Sequence, residues 1–483
     1  VQNHPNAFVM SSSAIIGASN DLSITLRGNS STLLLEASGA NGGGKVSIQS
    51  AGDMNIEFLG SGANQIQMTG GNVNSRPDSP ALIAANGNQT IVNSGPGTLD
   101  ITMTGGNATV TGKDVWEGAI QVCSGCATGN RAEIYAGGAQ TIVASNITLT
   151  GGAAGVQNSA EIHANGTQSI SATGNLTLTG GNGGGIYVAG HEPNVFGLIG
   201  NDADLSSDFQ QNLNIGGNLT LQGGTAAGGV HGAFIVAPNQ NINVGGDVSV
   251  LGGSSGTPTF AGLGAAAVIG YDFGANLTLT VGGDLTMTAG GSEGSAYLGA
   301  LNGYANVLVN ASGTVSLSGS ANVAAAVGAL QNSADANIGL TGATGISLNP
   351  YSKLLAGYGG TVILNAGTGA ISQAAADMQI NAWSLEGYGN GGVALIGNNN
   401  QVGEVTFGST AGNINYVSNA TMVHVESVST TGNVQLSTAP GAPDERKIGL
   451  GTITGNTVNV SARNAILDDN GSGVANITAN TIT

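Results

Sequence analysis

The chain has 483 residues, of which 7% are charged, 4% are aromatic and 84 are Gly, and its formal net charge is −18. A globular enzyme carries about a quarter charged residues, and a disordered chain lacks the 40% apolar content found here, so neither class fits. With 27 acids against 9 bases and no Lys or Arg between Arg131 and Lys353, the composition excludes nucleic acid and disfavours anionic membrane surfaces, and no apolar run reaches the roughly 18–20 residues of a membrane span.

Residues 1–106 form a first block of short alternating segments, among them "NQTIVNSGPGTLDITMTGG" (88–106). Residues 107–131 interrupt it with the insertion "NATVTGKDVWEGAIQVCSGCATGN" (107–130), which carries both cysteines, Cys123 and Cys126. A single C-x-x-C lacks the four ligands of a structural zinc site, and no βαβ context surrounds it for thioredoxin-like chemistry. A local disulfide between Cys123 and Cys126 is expected, ahead of two free thiols or metal chemistry.

Residues 132–350 make a central repeat. "AEIYAGGAQTIVASNITLTGG" (132–152) returns as "AEIHANGTQSISATGNLTLTGG" (160–181), placing Ile134 over Ile162, Gln140 over Gln168 and Leu149 over Leu178. "QNLNIGGNLTLQGG" from Gln211 and "QNINVGGDVSVLGG" from Gln240 continue the series. A fixed period of this size marks a solenoid. Each unit holds three alternating segments, which is a strand signal. Three short strands per about 28–30 residues predict one rung of an all-β, parallel β-helix with loop insertions. Gly pairs and Asn-Gly steps between the strands are read as the source of the positive φ that turns need. A second insertion is expected at "GHEPNVFGLIGNDADLSS" (190–207), and the one stretch with helix potential is "AISQAAADMQINAWSL" (370–385).

Alternation assigns faces. Ile162, Leu176 and Leu178 point inward, and Glu161, His163, Thr177 and Thr179 point outward. Gln89, Gln140, Gln168, Gln211 and Gln240 recur two residues before an inward Ile or Leu, which predicts a stacked amide ladder. Outward Thr pairs (Thr148/Thr150, Thr177/Thr179, Thr286/Thr288) are broken by Gln222 and Leu251, so a regular ice-matching lattice is not predicted. Asn-x-Ser/Thr sequons at Asn146, Asn175, Asn218 and Asn276 precede strands and are read as turn chemistry before glycosylation.

Catalytic chemistry finds little support. Glu133 and Glu161 align on adjacent rungs and are expected as exposed surface, ahead of a calcium bridge or catalysis. Asp202, Asp204 and Asp208 are the densest acidic group of the middle region and fall in a loop without an obvious partner. A polysaccharide lyase needs a base near its carboxylates, and a glycosidase needs two carboxylates about 5–10 Å apart. No such cluster is legible, so no catalytic, cofactor-binding or metal-binding residue is assigned and no cofactor is expected. "AGLGAAAVIG" (261–270) contains G-x-G-x-x-A, but a turn and a strand follow it where a dinucleotide site needs a helix.

Residues 351–483 carry "GGVALIGNNNQVGEVTF" (391–407), "TTGNVQLSTA" (430–439) and "GTITGNTVNVSARNAILDDNGSG" (451–473). These phrases resemble the repeat region of filamentous haemagglutinin-like exoproteins, large bacterial β-helical proteins exported by two-partner secretion. The resemblance implies an extracellular or cell-surface adhesin or matrix fibre, with no catalytic residues to carry over. Neither end shows a recognisable cap, which expects either head-to-tail self-association into filaments or a piece of a longer solenoid. The expected protein is a secreted structural or adhesive β-helix whose partners are copies of itself or host and cell-surface glycans and proteins, with no membrane insertion. The alternative is a carbohydrate-active β-helix enzyme.

Overall fold

A computed structural model of the chain describes residues 2–4, 7–11, 14–37, 44–71, 79–107, 115–117, 120–123, 130–154, 158–182, 186–187, 198–199, 203–225, 231–254, 264–330, 335–374, 378–440, 445–471 and 474–483. At 2–4, 7, 115–117, 120–123, 186–187, 198–199 and 203–205 the description covers the backbone alone. The fold is all-β, a parallel β-helix with no helix among the described residues. It comprises two compact units, Val1–Tyr271 with Ala289–Ala296, and Asp272–Thr288 with Tyr297–Thr483.

In the first unit, strands stack in three parallel columns. Ala132–Ala136, Gln140–Ala144 and Asn146–Thr150 make one rung. Each pairs in parallel with its equivalent in the next, Ala160–Ala164, Gln168–Ala172 and Leu176–Thr179. Register is set by the period of two, because a one-residue slip would turn every apolar side chain outward. Ile91, Ile142, Ile170, Leu213 and Ile242 therefore stack directly over one another inside the coil. Each such buried side chain contributes about 1.5–3 kcal/mol.

The predicted Gln ladder forms as drawn. Nε2 of Gln140 donates to Gln89 Oε1 at 2.9 Å, Gln168 to Gln140 at 2.8 Å, Gln211 to Gln168 at 2.8 Å and Gln240 to Gln211 at 3.0 Å. All five side chains are buried. Three of the four sequon asparagines hold the corners, whereas Asn276 lies within strand Ala275–Val281 on its exposed face. Asn146 Oδ1 accepts the backbone N–H of Asn175, Asn175 Oδ1 that of Asn218, and Asn218 Oδ1 that of Asp247, all at 2.8–2.9 Å. A side chain at each corner thus satisfies a turn amide one rung on.

The glycine pairs have a different cause from the one expected. Among the described glycines, positive φ occurs at Gly274, Gly299, Gly303, Gly328, Gly345, Gly357, Gly367, Gly392 and Gly471, and at none of the paired glycines that close the third strand. Those pairs are required by close backbone approach instead. A Cβ on Gly106 would overlap the Gly71 carbonyl oxygen, one on Gly152 that of Gly106, and one on Gly253 that of Gly224. Each rung turns beneath a carbonyl of the previous one, and only hydrogen fits there.

The second unit repeats the plan with shorter rungs toward its end. Leu277, Val307, Ile338, Val362, Leu385, Val405 and Val425 form a buried in-register stack. The segment with helix potential is strand: Ile371–Gln373 and Gln379–Tyr388 flank residues 375–377, which lie outside the described residues. Gln379–Tyr388 pairs with both Ser352–Leu355 and Thr361–Asn365, so a single bent strand replaces two strands and their turn. Loss of that turn accounts for the tighter repeat, in which Ile414 pairs with Val434 and Val434 with Val458.

Candidate functional site

Outward positions are where such a scaffold presents chemistry, and each unit displays its own set. In the first unit, Glu133 pairs in register with Glu161, as expected, and Glu161 with Asp204. Asp204 therefore belongs to the rung strand Ala203–Ser207 and not to an inserted loop. The side chains of Asp202 and Asp204 lie outside the described residues, whereas Asp208 is exposed, its N–H donating to Ala164 O at 3.1 Å.

Glu133 departs from the expected exposure. It is 6% exposed and pairs with Arg131, whose Nε lies 2.8 Å from Glu133 Oε2. Arg131 was legible as the partner, since a spacing of two in a strand puts both side chains on one face.

Beside this column, Tyr135 and His163 stack with ring centroids 5.7 Å apart. His163 Nε2 lies 2.8 Å from Asn165 Oδ1 and Nδ1 lies 2.8 Å from Ser206 Oγ. Because an amide oxygen only accepts, Nε2 carries a proton, and Nδ1 shares a hydrogen bond with the Ser206 hydroxyl. Asn165 Nδ2 donates in turn to the Tyr135 hydroxyl at 2.9 Å. The ring nitrogens are both engaged and His163 and Ser206 are buried, so this network ties three rungs together. No group of three metal-ligating side chains occurs among the described residues.

Cys123 ends strand Ile120–Cys123, which pairs antiparallel with Val115–Glu117 apart from the rungs. Its side chain and Cys126, and with them the expected disulfide, lie outside the described residues.

The second unit presents an aromatic corner that sequence reasoning missed. The chain holds only 2 Trp, 9 Tyr and 8 Phe, yet four of them project here, Phe273 at 70% exposure, Tyr304 46%, Tyr358 75% and Trp383 49%, and a fifth, Tyr388 at 39%, projects from the far end of the same strand face. Strand register gathers the first four. Ala275, Ala305 and Ala336 align, Asn337 aligns with Thr361, and Thr361 with Ser384. Phe273, Tyr304, Tyr358 and Trp383 lie at or near the start of that column, on four different rungs.

Adjoining strand positions carry exposed Asn306 and Asn337, then exposed Leu308 and Ile363. Asn337 Nδ2 donates to the Tyr304 hydroxyl at 2.7 Å, and Tyr388 OH donates to Glu386 Oε2 at 2.9 Å. Partial burial, and then the Glu386 carboxylate, push the Tyr388 phenol above its ordinary pKa, so it remains a donor at neutral pH. Glycines on the following rung make room for the rings. A Cβ on Gly403 would meet the Trp383 ring at 2.9 Å, and one on Gly408 the Tyr388 ring at 3.0 Å. The rings lean across bare backbone and turn their remaining surface to solvent.

The chain is thus a parallel β-helix repeat protein with polar and aromatic side chains displayed along its rungs. No family model, curated protein or solved structure matches it. No helix among the described residues is long and apolar enough to cross a membrane.

Proposed function

We propose that this chain is a secreted structural and adhesive β-helix of the bacterial cell surface or extracellular matrix. The observation that carries this reading is the aromatic corner of the second unit, because four exposed rings gathered on a rigid ladder are costly to leave in water unless something covers them. The scaffold supports the same role. Its interior is filled by amide ladders and aliphatic stacks that hold the rungs in register. Parallel in-register stacking is translational, so copies joined the same way would continue as a filament, and head-to-tail assembly belongs to this proposal.

Antibody raised against the purified chain should label intact producing cells or their surrounding matrix, and external protease should remove that label. Signal appearing only after cell lysis would overturn the extracellular reading.

A further inference from the structure

We infer that the aromatic corner of the second unit binds an uncharged, extended β-linked polysaccharide laid along the stacked rungs. The inference rests on the adhesive reading and names its ligand.

Three observations favour this occupant. The first is spacing. Rungs rise by about 4.8 Å, close to the length one hexose adds to an extended β-1,4-linked chain. Rings on successive and alternate rungs thus meet the sugars of such a chain in phase. Phe273, Tyr304, Tyr358 and Trp383 fall on separate rungs of a single corner. An aromatic face stacks against the C–H face of a pyranose, and its rigidity keeps the entropy cost low.

The second is the company the rings keep. Asn306, Asn337 and Glu386 stand beside them on the outward strand face. Planar amides and carboxylates supply the paired donors and acceptors that sugar hydroxyls need, and Tyr304 and Tyr388 are already oriented by Asn337 and Glu386. A protein-docking patch of equal size would bury a contiguous apolar centre. Here the apolar side chains beside the rings are confined to Leu308 and Ile363 in one column, and Asn306, Asn337 and Thr361 fill the column next to it.

The third is charge. Glu386 and Glu404 share the outward strand face with the rings, and Asp335 stands at the same corner. No Lys or Arg occupies the aligned outward positions of Asn276–Thr280, Asn306–Asn310, Asn337–Thr341, Thr361–Asn365, Ser384–Tyr388 or Glu404–Gly408. Sulfated or uronic polymers would be repelled, which leaves a neutral glycan.

The test compares polymers that share a backbone and differ in charge. In affinity electrophoresis, hydroxyethylcellulose should retard the full chain, and carboxymethylcellulose should retard it far less. Tyr358→Ala with Trp383→Ala should weaken retardation at least about tenfold, whereas Tyr358→Phe with Trp383→Phe should keep most of it. Phe209→Ala, an exposed ring of the first unit, should change nothing. Circular dichroism of each variant should match the parent, since the replaced side chains are exposed.

The inference is overturned if cellulose, xylan and mannan derivatives all fail to bind. It is also overturned if the alanine pair binds as the parent does, if the charged polymer binds better, or if the alanine pair loses self-association instead of glycan retardation. Attachment to cells through this corner without glycan binding would sink this inference and leave the adhesive reading standing. Glycan binding without attachment would do the reverse.

Discussion

Gln168→Glu is expected to destabilise the first unit by about 3–5 kcal/mol at pH 7, the cost of an uncompensated buried charge. Gln168 is fully buried. Its Nε2 donates to Gln140 Oε1 at 2.8 Å and to Ile162 O at 3.3 Å, while its Oε1 accepts from Gln211 Nε2 at 2.8 Å. Glutamate keeps the shape but sets a second acceptor against two acceptors. Protonation restores a donor, so the folded-state pKa of the new carboxyl lies above its unfolded value of about 4.3. The stability it contributes is present below that unfolded value and is lost as pH rises through the raised folded one. Denaturant midpoints of parent and variant should therefore converge near pH 4 and separate at pH 7. Gln168→Met, which orphans neighbours without adding charge, should cost about 1–3 kcal/mol at both. A pH-independent loss for the glutamate variant would contradict the ladder.

Gly152→Val should cost at least about 3 kcal/mol, the upper range for overpacking. Its Cβ would overlap the Gly106 carbonyl and press on Asn158. Both obstacles are held by backbone bonds, including Gly152 N–H to Asn158 O at 2.7 Å, so neither yields as a side-chain tip would. Gly17→Val is the matched control. It lies in strand Ile15–Ala18 with nothing within 4 Å of an added Cβ, and should shift stability by no more than about 0.5 kcal/mol. Equal losses at the two positions would mean that glycine serves the strands through backbone freedom rather than through space.

The repeat makes much of the architecture legible in the sequence alone. Aligned copies fixed which residues stack, and period-two alternation placed Ile142, Ile170 and the Gln column inside. Other features escaped for physical reasons. A Gly-Gly pair looks the same whether it supplies positive φ or makes room for a carbonyl, and only the neighbouring rung tells the two apart. Asp204 read as loop because it sits in a stretch whose period an insertion had broken, yet it pairs with Glu161. The aromatic corner was hidden because Phe273, Tyr304, Tyr358 and Trp383 occupy slightly different offsets on rungs of unequal length. Periodicity could not align them, and strand register did.

If this β-helix adheres through the aromatic corner of its second unit, attachment under flow reads that role most directly. Protein-coated beads would be held against the producing cells and their matrix. Beads carrying the parent chain should hold, and beads carrying equal amounts of folded Tyr358→Ala/Trp383→Ala protein should detach at least about tenfold more readily. Equal retention of the two, or no retention of the parent, would contradict adhesion through this corner.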